Sequence, residues 1–347
     1  MTSLPPERSS TVAPSTVAPA GPAGQARPPF VRLLPHLVWE AFLVVSVIGM
    51  AIAVMAANSE VLTSVSVLYN IASVGLLACG LALSVRTATP NLAVASLAAL
   101  AGTVFAELLD AGWATSAAWL TAVAVVTLIG LFFGLVAGLT SVPAWAVSLA
   151  GLAATGAIVL AVSGGRVTPL RDLDPASKGS GAFWVAVFCL VSIGGGLLWL
   201  LPAVRALLGV NRTAAGTTRL SPRRLLGALV GFGGSSLLAA ISGLIMVSQL
   251  RAAMPPMSET PRLTLVLGAV LLGGVSAFGR RGGIAGTVLA TVLLVLANTL
   301  LLVENAPSWV TAGVLPAAAI LVGVVIGRVL EAVGGPDPID ASEPART

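Results

Sequence analysis

The stretch VRALLGVNRTAAGTTRLSPRRLL, Val204 to Leu226, carries five arginines and no acidic residue in a chain that is otherwise almost entirely apolar. A Lys or Arg near the centre of a bilayer costs about 2.5 to 3.5 kcal/mol even on the insertion scale that penalises it least. This stretch must therefore lie in water between two membrane-spanning regions. Its positive charge predicts that it faces the cytoplasm.

The rest of the 347-residue chain has the composition of an integral membrane protein. It is 57% hydrophobic and only 9% charged, and its mean hydropathy is +1.01, whereas soluble domains contain about 25% charged residues. A helix needs about 20 apolar residues to cross the hydrocarbon core of a bilayer. We predict an all-α polytopic membrane protein with about ten transmembrane helices, approximately at 36–57, 62–85, 91–109, 115–138, 143–163, 182–201, 226–250, 263–278, 283–303 and 309–329.

The arginines predict the orientation of these spans. With the N-terminus inside, most arginines fall in inner segments, and an odd number of spans would lose this asymmetry. Both chain ends are then cytoplasmic. We expect disordered tails at 1–35 and 331–347, with a transmembrane domain at 36–330 that is interrupted by the basic loop 204–225. The protein is expected in a plasma membrane, and its high Ala, Arg and Gly content with a single lysine favours a bacterial source.

Residues that could carry catalytic or metal chemistry are scarce. His36 is the only histidine, Cys79 and Cys189 both lie in apolar runs, and Lys178 lies outside any glycine-rich run. We therefore expect no metal site and no P-loop, so that any ATP would be bound by another chain. No Asp or Glu lies at the centre of a span, which disfavours proton- or sodium-driven transport. The chain is not expected to be an enzyme.

Polar side chains inside the spans are the candidates for contact with a solute, because at membrane depth they usually face the bundle interior or a water-filled cavity. Ser and Thr can instead bond to the preceding turn of their own helix. Asn91 and Asn298 are therefore the strongest candidates, and Trp145 offers an aromatic surface. The full candidate set is Asn70, Asn91, Ser96, Trp145, Ser148, Thr155 and Asn298.

The sequence LGGVSAFGRRGGIAGT, 272–287, carries the most specific family resemblance. It resembles the Leu-Gly-Gly-Thr-Ser-Leu-Phe-Gly-Gly-Arg-Gly pattern, followed by a Gly-Thr pair, of the membrane subunit of ATP-binding-cassette importers of the ribose and simple-sugar type. The wider relatives of that family include branched-chain amino acid and nucleoside permeases. The resemblance runs from about residue 62 to 329, and the matching positions here are Gly273, Gly274, Ser276, Phe278, Gly279, Arg281, Gly282, Gly286 and Thr287.

The basic loop carries a second resemblance to the same family. GVNRTAAGTTRLSPRR, 209–224, resembles its Gly-Gly-Asn-x-Glu-Ala-Ala stretch, with Thr213 in place of the Glu. In such importers this loop forms the short coupling helix that sits in a groove of the ATPase. The resemblance implies that the ATPase contacts are Arg205, Gly209, Asn211, Ala214, Ala215, Arg223 and Arg224.

Two further stretches resemble the family more weakly. VPAWAVSLAGL, 142–152, is similar to Val-Pro-Pro-Phe-Ile-Val-Thr-Leu-Gly, and TATPNLAVAS, 87–96, is similar to Thr-Gly-Gly-Ile-Asp-Leu-Ser-Val-Gly-Ser, with Asn91 in place of the Asp. In the family the latter stretch opens a span beside the translocation path. The changes in it point to a less hydroxylated solute or to a partner subunit that supplies the missing carboxylate.

The resemblance implies the permease subunit of an ATP-driven importer, whose path for a small polar solute, a sugar, is lined by the candidate set above. An ATP-binding subunit dimer with ATP and Mg would dock from the cytoplasm, and an extracytoplasmic solute-binding protein would deliver the solute. A second permease copy or a homologous permease would complete the path in contact with membrane lipids. The chain itself would bind no cofactor and no nucleic acid. Two alternatives stay open, an ion-gradient-driven secondary transporter and a degenerate permease acting as a membrane scaffold.

Overall fold

The computed structural model describes residues 29–140, 142–170, 173–212, 221–254, 259–276 and 284–334. Almost all of this part is helical. The helices are α1 Pro29–Ala57, α2 Ser59–Leu62, α3 Val65–Arg86, α4 Val94–Asp110, α5 Thr115–Thr140, α6 Ala144–Ser163, α7 Lys178–Leu200, α8 Pro202–Leu208, α9 Pro222–Leu250, α10 Glu259–Leu272, α11 Gly286–Val303 and α12 Leu315–Gly334. A 3₁₀ turn at Val210–Arg212 follows α8, and a π-helical turn at Val310–Val314 leads into α12.

Each predicted span overlaps an α-helix, and almost no other regular structure is present in the described residues, which confirms the all-α class. In the described part of the chain, eight helices are long and apolar enough to cross a membrane. The helices at the third and eighth predicted spans, α4 and α10, are shorter, with 17 and 14 residues. The largest differences in span limits are at three helices: α1 begins at Pro29 rather than His36, α10 ends at Leu272 rather than Phe278, and α12 begins at Leu315 rather than Trp309. The cytoplasmic position of the chain ends stays a prediction.

α9 lies at the centre of the bundle and packs against α3, α4 and α5. The buried face of α5 is formed mainly by small residues: at every fourth position from Ala118 to Gly138 the residue is Ala or Gly, except at Val126. A Cβ added at Gly134 would lie 2.8 Å from the carbonyl oxygen of Ala228 on α9. Small residues in this arrangement allow helix backbones to approach closely, which is a main source of helix association in membranes.

The outer helices α1, α6, α7 and α12 expose most of their surface. Their exposed side chains are apolar, for example Leu190 on α7 at 75% and Leu321 on α12 at 69%. Such helices are suited to contact with lipid. Their outward side chains are apolar, and each helix satisfies its own backbone polar groups.

Two pairs of helices are interrupted in the same way. α3 ends at Arg86 and α10 ends at Leu272, and two residues later the backbone has a positive φ, 56° at Ala88 and 79° at Gly274. After each interruption the chain continues as the next helix, α4 or α11. We call residues 87–93 the first break and the segment 273–285, of which the structure describes 273–276 and 284–285, the second break.

Backbone hydrogen bonds close both helix ends with the same geometry. At the end of α3 the Thr89 N–H donates to the Ser84 carbonyl at 2.9 Å. At the end of α10 the Val275 N–H donates to the Val270 carbonyl at 3.2 Å. A bond of this span around a left-handed residue is the Schellman arrangement, which satisfies carbonyls that the helix end would leave unpaired. α4 and α11 end in the same way, with positive φ at Gly112 and Asn305 and bonds from Trp113 N–H to the Leu108 carbonyl and from Ala306 N–H to the Leu301 carbonyl. The arrangement is therefore a recurrent helix ending in this bundle.

The one sheet in the described residues is a short antiparallel ribbon. β1, Thr168–Pro169, lies between α6 and α7, and β2, Ala252–Ala253, lies between α9 and α10. The sequence predicts these two segments as separate outer loops, whereas the structure pairs them. We call this end of the bundle the ribbon end and the end that carries α8 the α8 end.

Candidate functional site

A cavity of 340 Å³ opens beside β2 at the ribbon end. Its wall is formed by α3, α4, α9, α10, α11 and the π-helical turn. Most of the lining is apolar, including three alanines of α4. The polar side chains in the wall are Asn70, Arg262, Asn298, Thr299 and Thr311. A volume of a few hundred Å³ with few polar groups in an apolar wall is typical of small-molecule sites.

Helical spacing explains why α11 contributes so much of this wall. Val295, Asn298, Thr299 and Leu302 follow one another at intervals of three, one and three residues. Residues at i, i+3, i+4 and i+7 lie on one face of an α-helix. α11 therefore presents one amide and one hydroxyl to the cavity between two apolar side chains.

The amides of Asn70 on α3 and Asn298 on α11 both belong to this wall, as the sequence predicts for a solute path. Both residues are half-buried. A primary amide offers two N–H donors and one carbonyl acceptor, so it can bond to a hydroxyl in either direction. These two neutral side chains can therefore form hydrogen bonds with hydroxyl groups of a solute in the cavity.

Arg262 is the charged residue that the described wall contains, and the sequence places it in an outer loop instead. Its Nη2 donates to the Ser242 hydroxyl at 3.5 Å, and its Nη1 lies against the sulfur of Met246. Ser242 in turn donates to the Ser73 carbonyl at 2.6 Å. The apolar run of the eighth span begins directly after Arg262, and this is the one feature of the sequence that indicates a place for Arg262 at the edge of that span.

Asn91 lies in the first break and not in the cavity wall. It is fully buried, and its Nδ2 donates to Ser235 Oγ at 2.8 Å. Its Oδ1 accepts the N–H of Ala93 at 3.1 Å, and its own N–H donates to Ser84 Oγ at 3.0 Å. Non-helical backbone inside a membrane protein needs such partners, because lipid offers none.

The remaining members of the candidate set also lie outside this cavity. The hydroxyls of Ser96 and Thr155 bond to each other at 2.5 Å and link α4 to α6. Ser148 is fully buried and donates to the carbonyl of Trp145, one turn back on its own helix, at 3.0 Å. The Trp145 side chain is exposed. The structure thus brings together two of the seven candidates.

α1 holds both sides of the second break with two adjacent side chains. Trp39 Nε1 donates to the Leu272 carbonyl at the end of α10, at 2.8 Å. Glu40 Oε1 accepts the N–H groups of Ala285 and Gly286 at the start of α11, at 3.0 and 3.1 Å. A carboxylate there satisfies free N–H groups and complements the helix dipole. The sequence predicts no such role for either residue.

At the α8 end, the predicted ATPase contacts lie close to the start of α9. Asn211 Nδ2 donates to the carbonyl of Arg224 at 3.3 Å, and Gly209 ends α8. Arg223 is exposed, Arg205 is half-buried and Arg224 is buried. The exposed face at this end therefore includes Arg223, whereas Arg224 is held inside the protein.

Parts of the family motifs lie outside the described residues. They are Ala214 and Ala215 in the basic loop and Phe278, Gly279, Arg281 and Gly282 in the second break. At the described edges of the second break, a Cβ added at Gly273 would lie 2.8 Å from the Thr287 Cα. The backbones on its two sides approach too closely for a larger residue at Gly273.

Helices that face lipid, arranged around a solute-sized cavity with amide and guanidinium groups, define a membrane transport protein. In the described residues no group of three or more His, Cys, Asp and Glu side chains could hold a metal ion.

Known proteins similar to this chain identify its family. It is 31% identical over 277 residues to the probable ABC transporter permease protein y4mJ of Sinorhizobium fredii (strain NBRC 101917 / NGR234), covering 73% of this chain and 77% of that one. It is 26% identical over 259 residues to the galactofuranose transporter permease protein YtfT of Escherichia coli (strain K12), covering 70% and 73%. It is also 26% identical over 243 residues to the autoinducer 2 import system permease protein LsrC of Escherichia coli O9:H4 (strain HS), covering 67% and 70%.

The chain belongs to the ABC transporter permease family. It is a multi-pass membrane protein and a transport subunit rather than an enzyme. The predicted resemblance to this family is confirmed, and the gradient-driven and scaffold alternatives are not favoured. No model of a known protein family matches the chain, and no solved structure does.

Proposed function

We propose that this chain forms the translocation path of an ATP-binding-cassette importer and that a sugar passes through the ribbon-end cavity. The observation that carries the proposal is the position of Asn70 and Asn298 in the wall of a 340 Å³ cavity. Their amides match sugar hydroxyls, and apart from Arg262, Thr299 and Thr311 the rest of the wall is apolar. A transport path has to bind its solute weakly enough to release it.

The ribbon end is the proposed entrance, where an extracytoplasmic solute-binding protein would deliver the sugar. A second hollow of 560 Å³ lies beside the ribbon, with Asp110, Trp113 and Pro169 in its wall. The hollow and the ribbon together give this end a structured surface on which a soluble protein can dock. This placement also makes both chain ends cytoplasmic, as the charge distribution predicts.

The α8 end is the proposed contact with an ATPase dimer, which would hold ATP and Mg²⁺. α8 and the 3₁₀ turn are joined to the start of α9 by the Asn211 bond, so movement of this segment would reach the central helix directly. Of the predicted contact set, Arg223 is the exposed cation. The path would be completed by a second copy of the chain or a homologous permease.

Uptake by the whole importer in proteoliposomes tests the proposed path. Asn298→Leu and Asn70→Leu keep the branched side-chain shape and the number of non-hydrogen atoms and remove the hydrogen bonds. Loss of one or two solute hydrogen bonds should slow sugar uptake about tenfold. Ser148→Ala is the matched control, because its hydroxyl bonds within its own helix away from the cavity. Unchanged uptake in both Asn variants, or uptake without ATP, would contradict the proposal.

Co-purification in mild detergent tests the ATPase contact. Arg223→Glu should greatly reduce the amount of ATPase recovered with the chain, since the substitution reverses an exposed charge at the α8 end. Arg251→Glu makes the same change at an exposed position of the ribbon end. It should leave ATPase recovery intact, and equal loss in both variants would argue against a docking site at α8.

A further inference from the structure

The cavity contains a cation that a path for a neutral sugar does not need. We infer that the transported solute carries an anionic oxygen group beside its hydroxyls, and that Arg262 is the residue that selects it. The inference rests on the proposed function, because it narrows the solute class of the same cavity. It assigns a carboxylate or phosphate to the solute rather than a further hydroxyl.

The surroundings of Arg262 leave its guanidinium without a charged partner among the described residues. Its described contacts are the neutral Ser242 hydroxyl and the Met246 sulfur. The 3.5 Å bond to Ser242 is long for a charge-assisted hydrogen bond, which usually measures 2.7 to 2.9 Å. The buried Nε has no hydrogen-bond partner within the described structure.

Arg262 is half-buried, so its charge is partly withdrawn from water, and an anion bound beside it would stabilise it. A buried charge is costly unless it is paired. A guanidinium has five N–H donors in one plane, and a carboxylate or phosphate can accept two of them in parallel. A neutral hydroxyl accepts one such bond and supplies no compensating charge.

The other polar residues of the wall have the chemistry to hold the rest of such a solute. Asn70 and Asn298 offer neutral amides from α3 and α11, and Arg262 offers its charge from α10. One wall therefore combines groups for hydroxyls with one group for an anion. A sugar acid or a sugar phosphate satisfies both, whereas a neutral sugar satisfies only the amides.

Weak binding to the purified full-length chain in lipid nanodiscs tests this inference, measured by ligand-observed NMR. Galactose and galacturonate are suitable probes because they differ at one carbon, CH₂OH in the first and carboxylate in the second. Galacturonate should bind about tenfold more tightly, as expected for one charge-assisted pair. Galactose 6-phosphate tests the phosphate form of the same chemistry, and tighter binding of either anion supports the inference.

Substitutions locate the preference. Arg262→Gln should abolish the preference, measured as the ratio of the galactose and galacturonate dissociation constants in the same variant, since an amide keeps hydrogen bonds but removes the charge. Arg262→Lys should retain part of the preference, which also shows that the cavity tolerates a change at this position. The control is Arg251→Gln, because that exposed arginine donates to the Leu173 carbonyl at 2.9 Å outside the cavity. This variant should keep the full preference.

The outcomes separate this inference from the proposed function. If galactose binds and neither anion binds more tightly, or if Arg262→Gln keeps the preference, the inference is overturned and the sugar path stands. If none of the three probes binds and the reconstituted importer transports none of them, both fail.

Discussion

Replacing Asn91 by alanine should destabilise the protein, because the first break depends on this side chain. The residue is fully buried between α3 and α4. Its amide joins the break to Ser235 on the central helix, and its carbonyl oxygen holds the N–H of Ala93. The substitution removes both bonds and leaves the buried N–H of Ala93 without its side-chain acceptor.

The size of the effect can be worked from these contacts. A side-chain hydrogen bond between membrane helices contributes about 0.6 kcal/mol on average and about 1.7 kcal/mol at most. A buried donor left unsatisfied costs about 1 to 3 kcal/mol. The free energy of unfolding should therefore fall by about 2 to 4 kcal/mol in Asn91→Ala. A double-mutant cycle with Ser235→Ala should give a coupling energy of about 0.6 to 1.7 kcal/mol.

The assay is equilibrium unfolding of the purified chain in mixed micelles with increasing denaturing detergent, followed by circular dichroism. Ser148→Ala is the control, since it removes an equally buried hydroxyl that bonds only within its own helix. Its effect should stay below about 0.5 kcal/mol. An Asn91→Ala change as small as this, with no coupling to Ser235, would refute the structural role. Normal stability combined with lost uptake would instead place Asn91 in contact with the solute, as the sequence predicts.

Three further substitutions test the packing of the bundle by the same unfolding assay. Glu40→Gln should cost about 1 kcal/mol, because it removes the negative charge at the start of α11, whereas the same change at the exposed Glu60 should have no measurable effect. Gly134→Ala should cost about 1 to 3 kcal/mol, because the added methyl group would push α5 away from α9. Gly156→Ala is the control and should be neutral, because an added Cβ meets nothing within 4 Å there. Ala88→Gly should stabilise the protein by about 0.5 to 1 kcal/mol by relieving a positive φ of 56°, and a loss of stability would contradict the strain.

The candidate site could be predicted in part. Asn70 and Asn298 lie in the cavity wall because an amide in an apolar span needs polar surroundings, and the spans of this chain offer few such places. Ser148 and Thr155 each bond to the preceding turn of their own helix, a possibility that composition alone cannot separate from a solute contact. The Asn91 side chain forms hydrogen bonds within the first break. This role becomes visible only when the fold places Ser235, 144 residues away, beside it.

The residues that the sequence did not point to share a different feature. Arg262 is a helix-end arginine by its sequence, and its partners Ser242 and Met246 belong to another helix. Trp39 and Glu40 resemble residues at a membrane interface, yet they bond to backbone groups more than 230 residues away. In each case the role is set by a neighbour that is distant in sequence.

By itself the sequence determined the all-α membrane class and the family. Apolar segments of this length can satisfy their backbone in lipid only as helices, and a run of arginines cannot remain inside the bilayer. The tertiary structure alone decided which polar side chains meet, because that depends on the rotation of each helix and on where α3 and α10 stop. Asn70, Arg262 and Asn298 come from three helices, so their meeting in one cavity is a property of the folded bundle and not of any one segment.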